Sequence, residues 1–263
     1  MDVLVLCYHA VSETWPADLA VTPTRLGEQV GLLLRLGYRP VTFHEAVTTP
    51  GGGKTVAVTF DDGFASVARL GLPVLAGLGV PASLFVTTDF VDGEEPLAWP
   101  GIEQWADGAY AAELDAISEA EVRRLVEAGW EIGSHTCTHP RLTTLDEPAL
   151  ARELEESRRR CEEVAGAPCR SLAYPYGDSD ERVIGAAERA GYETACLLPS
   201  RFAPPRRLAW PRVGVYVDDG PVAFRAKISP SVRRLRAGPL WPLLTRLAPE
   251  PRPPAPEARP PSS

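Results

Sequence analysis

The sequence predicts an α/β fold built on a parallel sheet. Two patterns carry that reading: short runs rich in Val, Ile and Leu alternate with segments of helical spacing, and those segments end repeatedly at glycine. A third observation is size. The 263 residues, 44% apolar and 24% charged, suffice for a substantial buried core in one large domain or two small ones. The rhythm alone leaves open whether the sheet is flat-edged or closed as a barrel.

Val3–Cys7 reads as the first strand. Thr24–Leu36 has helical periodicity and stops at Gly37, a residue suited to the left-handed turn after a helix. Val56–Phe60 is a second buried strand. A helix near Val67–Leu78 is broken at Pro73, and Ala82–Val86 gives the third strand. Ser118–Ala128 opens with a capping box formed by Ser118 and Glu121 and closes at Gly129. Trp130–Ser134 is then a strand, Pro148–Ala165 a long charged helix ending at Gly166, and Ser171–Tyr174 another strand. Asp180–Ala190 is helical up to Gly191 and leads into a strand at Thr194–Leu198.

Two segments interrupt this rhythm. Asp89–Ala116 holds Trp99, Trp105 and Tyr110 without clear periodicity. A loop of this length is often functional; the alternative is a surface excursion whose aromatics pack on the body. From Pro221 to Pro249 no acidic residue occurs, while Arg225, Lys227, Arg233, Arg234, Arg236 and Arg246 are positive. Arg233, Arg234 and Arg236 precede Leu240, Trp241, Leu243 and Leu244, an order that suits contact through 225–246 with a membrane surface or a lipid-diphosphate sugar carrier. The other reading is a solvated appendage, since Pro239 and Pro242 prevent a clean amphipathic helix. The expected division is a globular domain over 1–220, an irregular basic extension over 221–248, and a Pro-rich disordered tail over 249–263.

A net charge of −8 argues against nucleic-acid partners. No apolar run approaches the ~18 residues that cross a bilayer, and MDVLVLCYHAV lacks the basic start and cleavage site of a signal peptide. Five scattered cysteines (Cys7, Cys137, Cys161, Cys169, Cys196) suit a reducing compartment without a disulfide framework. The expected location is cytoplasmic, at the inner membrane face if the basic extension engages it.

Chemistry concentrates in two places. Thr59-Phe60-Asp61-Asp62-Gly63 puts adjacent acids at the end of a buried strand, which is costly unless they are paired or metal-bound. Ser134-His135-Thr136-Cys137-Thr138-His139 follows another strand with two histidines four positions apart, able to converge on one ion. One carboxylate with two imidazoles leaves a coordination position open, as a catalytic zinc site requires, and the second carboxylate becomes a general base. Cys137 could tempt a ligand or nucleophile reading but fits a packed small residue better. His44 reads as a surface residue, and Gly51–Thr55 (GGGKT) precedes its strand, so it is no phosphate loop.

With these residues in view, TFDDG, SHTCTH and Tyr174-Pro175-Tyr176-Gly177 resemble the first three motifs of polysaccharide deacetylases, the NodB-like group known as carbohydrate esterase family 4. The resemblance covers about residues 1–215 and includes LCYHAV, typical of a branch related to poly-N-acetylglucosamine deacetylases. It implies a distorted (β/α) barrel of about seven strands. It also implies Asp62, His135 and His139 as metal ligands, Asp61 as base, and the Tyr176 backbone N–H as oxyanion donor. Zinc is the default metal, with cobalt, nickel or iron also suited. The implied reaction is removal of N-acetyl groups from a glycan or a lipid-linked sugar precursor.

Two departures stand out. Relatives often carry an arginine two residues before the third-motif proline, where this chain has Ala173; Arg212, rather than Arg170, is the candidate to orient Asp61. Many relatives also carry a late histidine acid, but no histidine follows His139. His9, after the first strand, is the candidate for that role, as acid or as an orienting group. The missing histidine keeps O-acetyl ester or other C–N hydrolysis open as an alternative, alongside a glycan-binding module without turnover.

Overall fold

The computed structural model describes residues 2–49, 51–199 and 201–238. Nine parallel strands form its main sheet: β1 (Asp2–Tyr8), β2 (Arg39–Val41), β3 (Lys54–Phe60), β4 (Ser83–Val86), β5 (Glu131–Ser134), β6 (Ser171–Ala173), β7 (Thr194–Leu197), β8 (Trp210–Pro211) and β9 (Val213–Gly214). Their order is β8-β7-β6-β5-β4-β3-β1-β9, with β2 beside the first half of β3. Trp210 pairs with Cys196 of β7, and Val213 pairs with Leu6 of β1. The two ends of the sheet are therefore one stretch of chain, joined at Arg212. This closes the sheet into a nearly complete barrel, and counting 210–214 as one strand makes the ring seven-membered.

Helices cover the outside: α1 (Pro23–Arg35), α2 (Phe43–Thr48), α3 (Leu72–Gly77), α4 (Glu119–Glu127), α5 (Glu147–Ala165) and α6 (Glu181–Arg189). Their ends follow the capping chemistry of the sequence. Thr22 and Asp180 cap α1 and α6, both halves of the Ser118–Glu121 box form on α4, and Gly166 ends α5 at φ 63°. The Val67–Leu78 helix is instead a wide π-type turn, Val67–Gly71, running into α3. A proline donates no N–H to the turn before it, so Pro73 sits where a new helix starts. Neither β2 and α2 nor the two-residue strands β8 and β9 are evident from sequence periodicity.

Side chains alternate along each strand, so the apolar runs are buried on both faces. Leu4, Leu6, Val56 and Val58 face the helices, while Val5, Ala57, Phe85, Ala173 and Cys196 fill the barrel. Gly133 on β5 is needed there: a Cβ would lie 2.5 Å from Phe85 Cδ1 and 2.9 Å from Ser171 O. Gly133→Ala should destabilise the fold by about 1–3 kcal/mol through overpacking. Chemical denaturation checks this, and an unchanged midpoint would contradict the packing.

The segment expected to be irregular forms α7 (Pro221–Ile228) and α8 (Pro230–Ala237), each with proline in its first turn. Phe224 and Ile228 are buried against the barrel. Lys227 reaches Asp219 at 2.6 Å, Arg233 binds the Asp2 carboxylate, and Arg236 lies 4.1 Å over the Phe202 ring. Three of the expected surface cations thus turn toward the body, while Arg225 and Arg234 are exposed. Arg246, Leu240–Leu244 and the Pro-rich tail over 249–263 lie outside the described residues. Among the described residues no helix is long and apolar enough to cross a membrane. All five cysteines are free and buried.

Candidate active site

The barrel strands run in one direction, so the chain leaving each of them arrives at the same mouth, where α/β barrels build their sites. β3 continues past its end with a hydrogen bond from Asp61 N to Tyr8 O at 3.0 Å. The backbone then turns sharply, with Asp62 at φ 73° and Gly63 at φ 88°. The turn separates the two acids. Asp61 keeps the inward phase of Ala57 and Thr59, while Asp62 faces the loop after β5. The Thr87 hydroxyl, just beyond β4, donates to Asp62 O at 2.6 Å and holds the turn.

The loop after β5 carries both histidines. Ser134 Oγ accepts from Thr136 N at 3.0 Å, and Thr136 Oγ1 accepts from His139 N at 3.1 Å. His135 Nε2 then lies 3.3 Å, and His139 Nε2 3.5 Å, from Asp62 Oδ1. The three ligand atoms fall within 4.8 Å of one another, and all three residues are buried. The His135 Nδ1–H donates to Ala173 O at 2.8 Å, leaving Nε2 with the lone pair a cation needs. Burial and His135 push His139 down to about 3, so its ring is neutral. Burial also works against a charge on His135, but Asp61 and Asp62 outweigh it and raise its pKa, so this spot attracts positive charge. One oxygen and two nitrogen donors of this kind fit a divalent metal ion.

Beneath the mouth, Arg212 is completely buried at the barrel closure. Its Nη1 donates to Asp61 Oδ1 at 2.6 Å and its Nη2 to Oδ2 at 2.5 Å. Thr59 Oγ1 accepts from Nη1 at 3.0 Å and donates to Leu6 O at 2.7 Å, which ties the clamp to the barrel wall. Burial raises the Asp61 pKa, but Arg212 and then His135 outweigh it and hold the carboxyl well below the usual carboxylate range. Cys7 Sγ lies 3.4 Å from Asp61 Oδ2, and burial keeps it a thiol. Cys7, His9 and Asp61 also cluster closely, but with the carboxylate taken by Arg212 and the thiol protonated they make a poor metal set.

After β6, Tyr176 adopts φ 59°. Its ring lies edge-on to His139 at 4.6 Å, and the Arg141 guanidinium covers it at 4.3 Å. Among the described residues, four of the five non-glycine residues with positive φ are Asp62, Thr136, His139 and Tyr176. Such conformations cost roughly 1–3 kcal/mol each and concentrate where surroundings impose them for function.

The aromatic excursion is a wall of this site. It leaves the histidine loop through Thr88 N→Thr136 O (3.0 Å) and Asp89 N→Cys137 O (3.1 Å). It rejoins the Asp61–Gly63 turn through Ile117 N→Gly63 O at 2.8 Å. Midway, Trp99 stacks on His139 with ring centroids 4.2 Å apart. The resulting cleft of about 550 Å³ is lined by His9, Asp61, Asp62, His135, His139 and Tyr176, with Trp99, Leu198 and Tyr216 among its walls.

Six of the seven predicted site residues thus line one cleft, and Arg212 lies below it holding Asp61. Arg170 faces Glu193 on the surface, 3.5 Å away. His44 pairs with the same Glu193 at 3.1 Å. Cys137 Sγ contacts Glu153 O at 3.8 Å, and burial pushes its thiol up to about 12. Cys7 and Thr59 were not anticipated, though strand alternation places them below His9 and Asp61. Glu153 was missed as well: it accepts from the backbone of the histidine loop.

The sequence matches the family model described as polysaccharide deacetylase over residues 48–195. The chain belongs to the polysaccharide deacetylase family. Among curated relatives of this family member, a chitooligosaccharide deacetylase of Sinorhizobium fredii is 31% identical over 53% of the chain and 55% of its own length. A poly-beta-1,6-N-acetyl-D-glucosamine N-deacetylase of Staphylococcus aureus is 23% identical over 58% of the chain and 50% of its own length. The chain therefore spans about half the length of these relatives. Among solved structures, a polysaccharide deacetylase from Bacillus cereus superposes with TM-score 0.72 and 26% identity, covering 87% of this chain and 69% of that one. IcaB from Ammonifex degensii superposes with TM-score 0.67 and 25% identity, covering 90% and 97%.

Proposed function

We propose that this family member is a metal-dependent hydrolase removing N-acetyl groups from an amino-sugar glycan or a lipid-linked glycan precursor. The observation that carries the proposal is the convergence of Asp62, His135 and His139 beside an Asp61 carboxylate clamped by Arg212, at the floor of a cleft. The names of the relatives support N-acetylglucosamine oligomers or polymers as the substrate class.

Asp62, His135 and His139 would hold the ion, with zinc as the default and cobalt, nickel or iron as alternatives. When bound, it supplies a Lewis acid that polarises the acetamide carbonyl and makes water a nucleophile near neutral pH. Asp61 takes the proton of the attacking water. Its bidentate partner keeps it ionised and aimed, so no orientation is left to chance as the proton moves. The Tyr176 backbone N–H holds the oxyanion that develops on the carbonyl oxygen. His9 gives a proton to the departing amine, and the products are acetate and a free amino sugar.

What favours His9 as proton donor over orienting group is that it lines the cleft while its Nδ1 makes no hydrogen bond to any described residue. A histidine that merely orients Asp61 would be hydrogen-bonded in place. An ester releases an alkoxide more easily than an amide releases an amine, so an acid matters less for O-deacetylation. Assays of wild type and His9→Ala on matched N-acetyl and O-acetyl sugars test both readings. The expected result is N-deacetylation by wild type, falling about 10²–10⁴-fold in His9→Ala with a smaller loss on the ester. Turnover of the ester alone would replace the proposal with an esterase. Glycan binding without turnover of either would leave a binding module.

A further inference from the structure

We propose that Trp99 and Glu153 are positioning residues for His139, doing for this imidazole what a hydrogen bond does for His135. The inference rests on the metal reading above. A metal-binding imidazole is ordinarily fixed by a hydrogen bond from its second nitrogen to a carbonyl or carboxylate. His135 has one, to Ala173 O. His139 does not: its Nδ1 is buried and has no hydrogen-bond partner among the described residues.

Two other contacts hold it. The Trp99 indole lies against the ring at 4.2 Å with only 22° between the planes, while Tyr176 meets the ring from its edge at 4.6 Å. Stacking limits rotation of the imidazole about its χ angles, which is the freedom that a hydrogen bond at Nδ1 would remove. The backbone is held from below. Glu153, 7% exposed, projects from α5 and accepts from Cys137 N at 2.8 Å, Thr138 N at 3.0 Å and Thr138 Oγ1 at 2.8 Å. These contacts fall between Thr136 and His139, both in left-handed conformations that their surroundings must impose. Removing the carboxylate leaves two loop N–H groups without their acceptor and frees the loop to relax.

Both supports meet in one loop. The excursion that delivers Trp99 is bonded at its start to Thr136 O and Cys137 O, and Phe90 braces the indole edge-on at 5.6 Å. A charged residue on α5 and an aromatic from an irregular loop thereby act on the same ligand, one through the backbone and one through the ring.

The test loads full-length wild type, Trp99→Leu, Trp99→Phe and Glu153→Ala with Co²⁺ and measures its dissociation constant by chelator competition. The visible Co²⁺ spectrum is recorded, with thermal unfolding of the metal-free proteins as the folding control. Trp99→Leu and Glu153→Ala should weaken Co²⁺ binding about 10–100-fold and alter the ligand-field bands. Trp99→Phe, which restores an aromatic face, should recover most of the affinity. Wild-type affinity and an unchanged spectrum in both Trp99→Leu and Glu153→Ala would overturn the proposal alone. A wild-type chain that holds no Co²⁺ would overturn the metal reading beneath it.

Discussion

Replacing Asp61 by asparagine is expected to lower acetate release about 10²–10⁴-fold while the bound metal stays. Asparagine keeps the size of the side chain but cannot take a proton from water. Asp61 is also outside the donor set, whose carboxylate oxygen belongs to Asp62. Metal content measured beside the rate separates the two carboxylates. A loss of rate that tracks a loss of metal would make Asp61 a support of the metal site instead of a base.

The second large effect concerns Arg212. Replacing it by methionine leaves Asp61 buried without its cation, and breaking a buried pair costs about 3–5 kcal/mol. Arg212 also joins the ends of the sheet, with its backbone N–H donating to Leu197 O at 3.1 Å. Arg212→Met should therefore lower both stability and activity. The double variant Arg212→Met with Asp61→Leu should regain much of the stability, since no charge is left stranded, and none of the activity. The pH dependence has a definite sign. Because the Asp61 carboxyl lies below its usual range when folded, the pair's stabilisation is full above about pH 4 and fades as pH falls through the lower folded value. The stability gap between wild type and Arg212→Met should narrow in acid. An Arg212→Met chain as stable as wild type at neutral pH would show that the clamp contributes nothing to the fold.

Why some of this was legible in the sequence follows from the distances involved. Helix ends depend on side chains a few residues away, so Ser118, Asp180 and Gly166 could be read locally, whereas the cap Thr22 lies two residues before the expected start at Thr24. The strands β8 and β9 hold two residues each, too few for a period-two pattern, and their role appears only when both ends of the sheet meet at Arg212. At the site, Asp61, Asp62, His135 and His139 stand in contiguous motifs, so their grouping was readable. Glu153 was hidden among many acids on α5, yet it shares the buried stripe of Leu150, Leu154, Ser157 and Cys161. A carboxylate on an apolar stripe needs partners, and that was the available signal. Trp99 offered none, because an irregular loop has no periodicity to say which way its aromatics turn. Ala173 is informative in reverse. It belongs to the inner cluster with Phe85, and the Arg212 guanidinium lies 5.6 Å over that same ring, so a different strand delivers the arginine to the barrel interior.

The most direct test of the account is acetate release from N-acetylglucosamine oligomers by the full chain, stripped with a chelator and then reconstituted with Zn²⁺ or Co²⁺. The stripped chain should release none, reconstitution should restore release, and His139→Ala should regain none. Equal release from the stripped and reconstituted chains would contradict it.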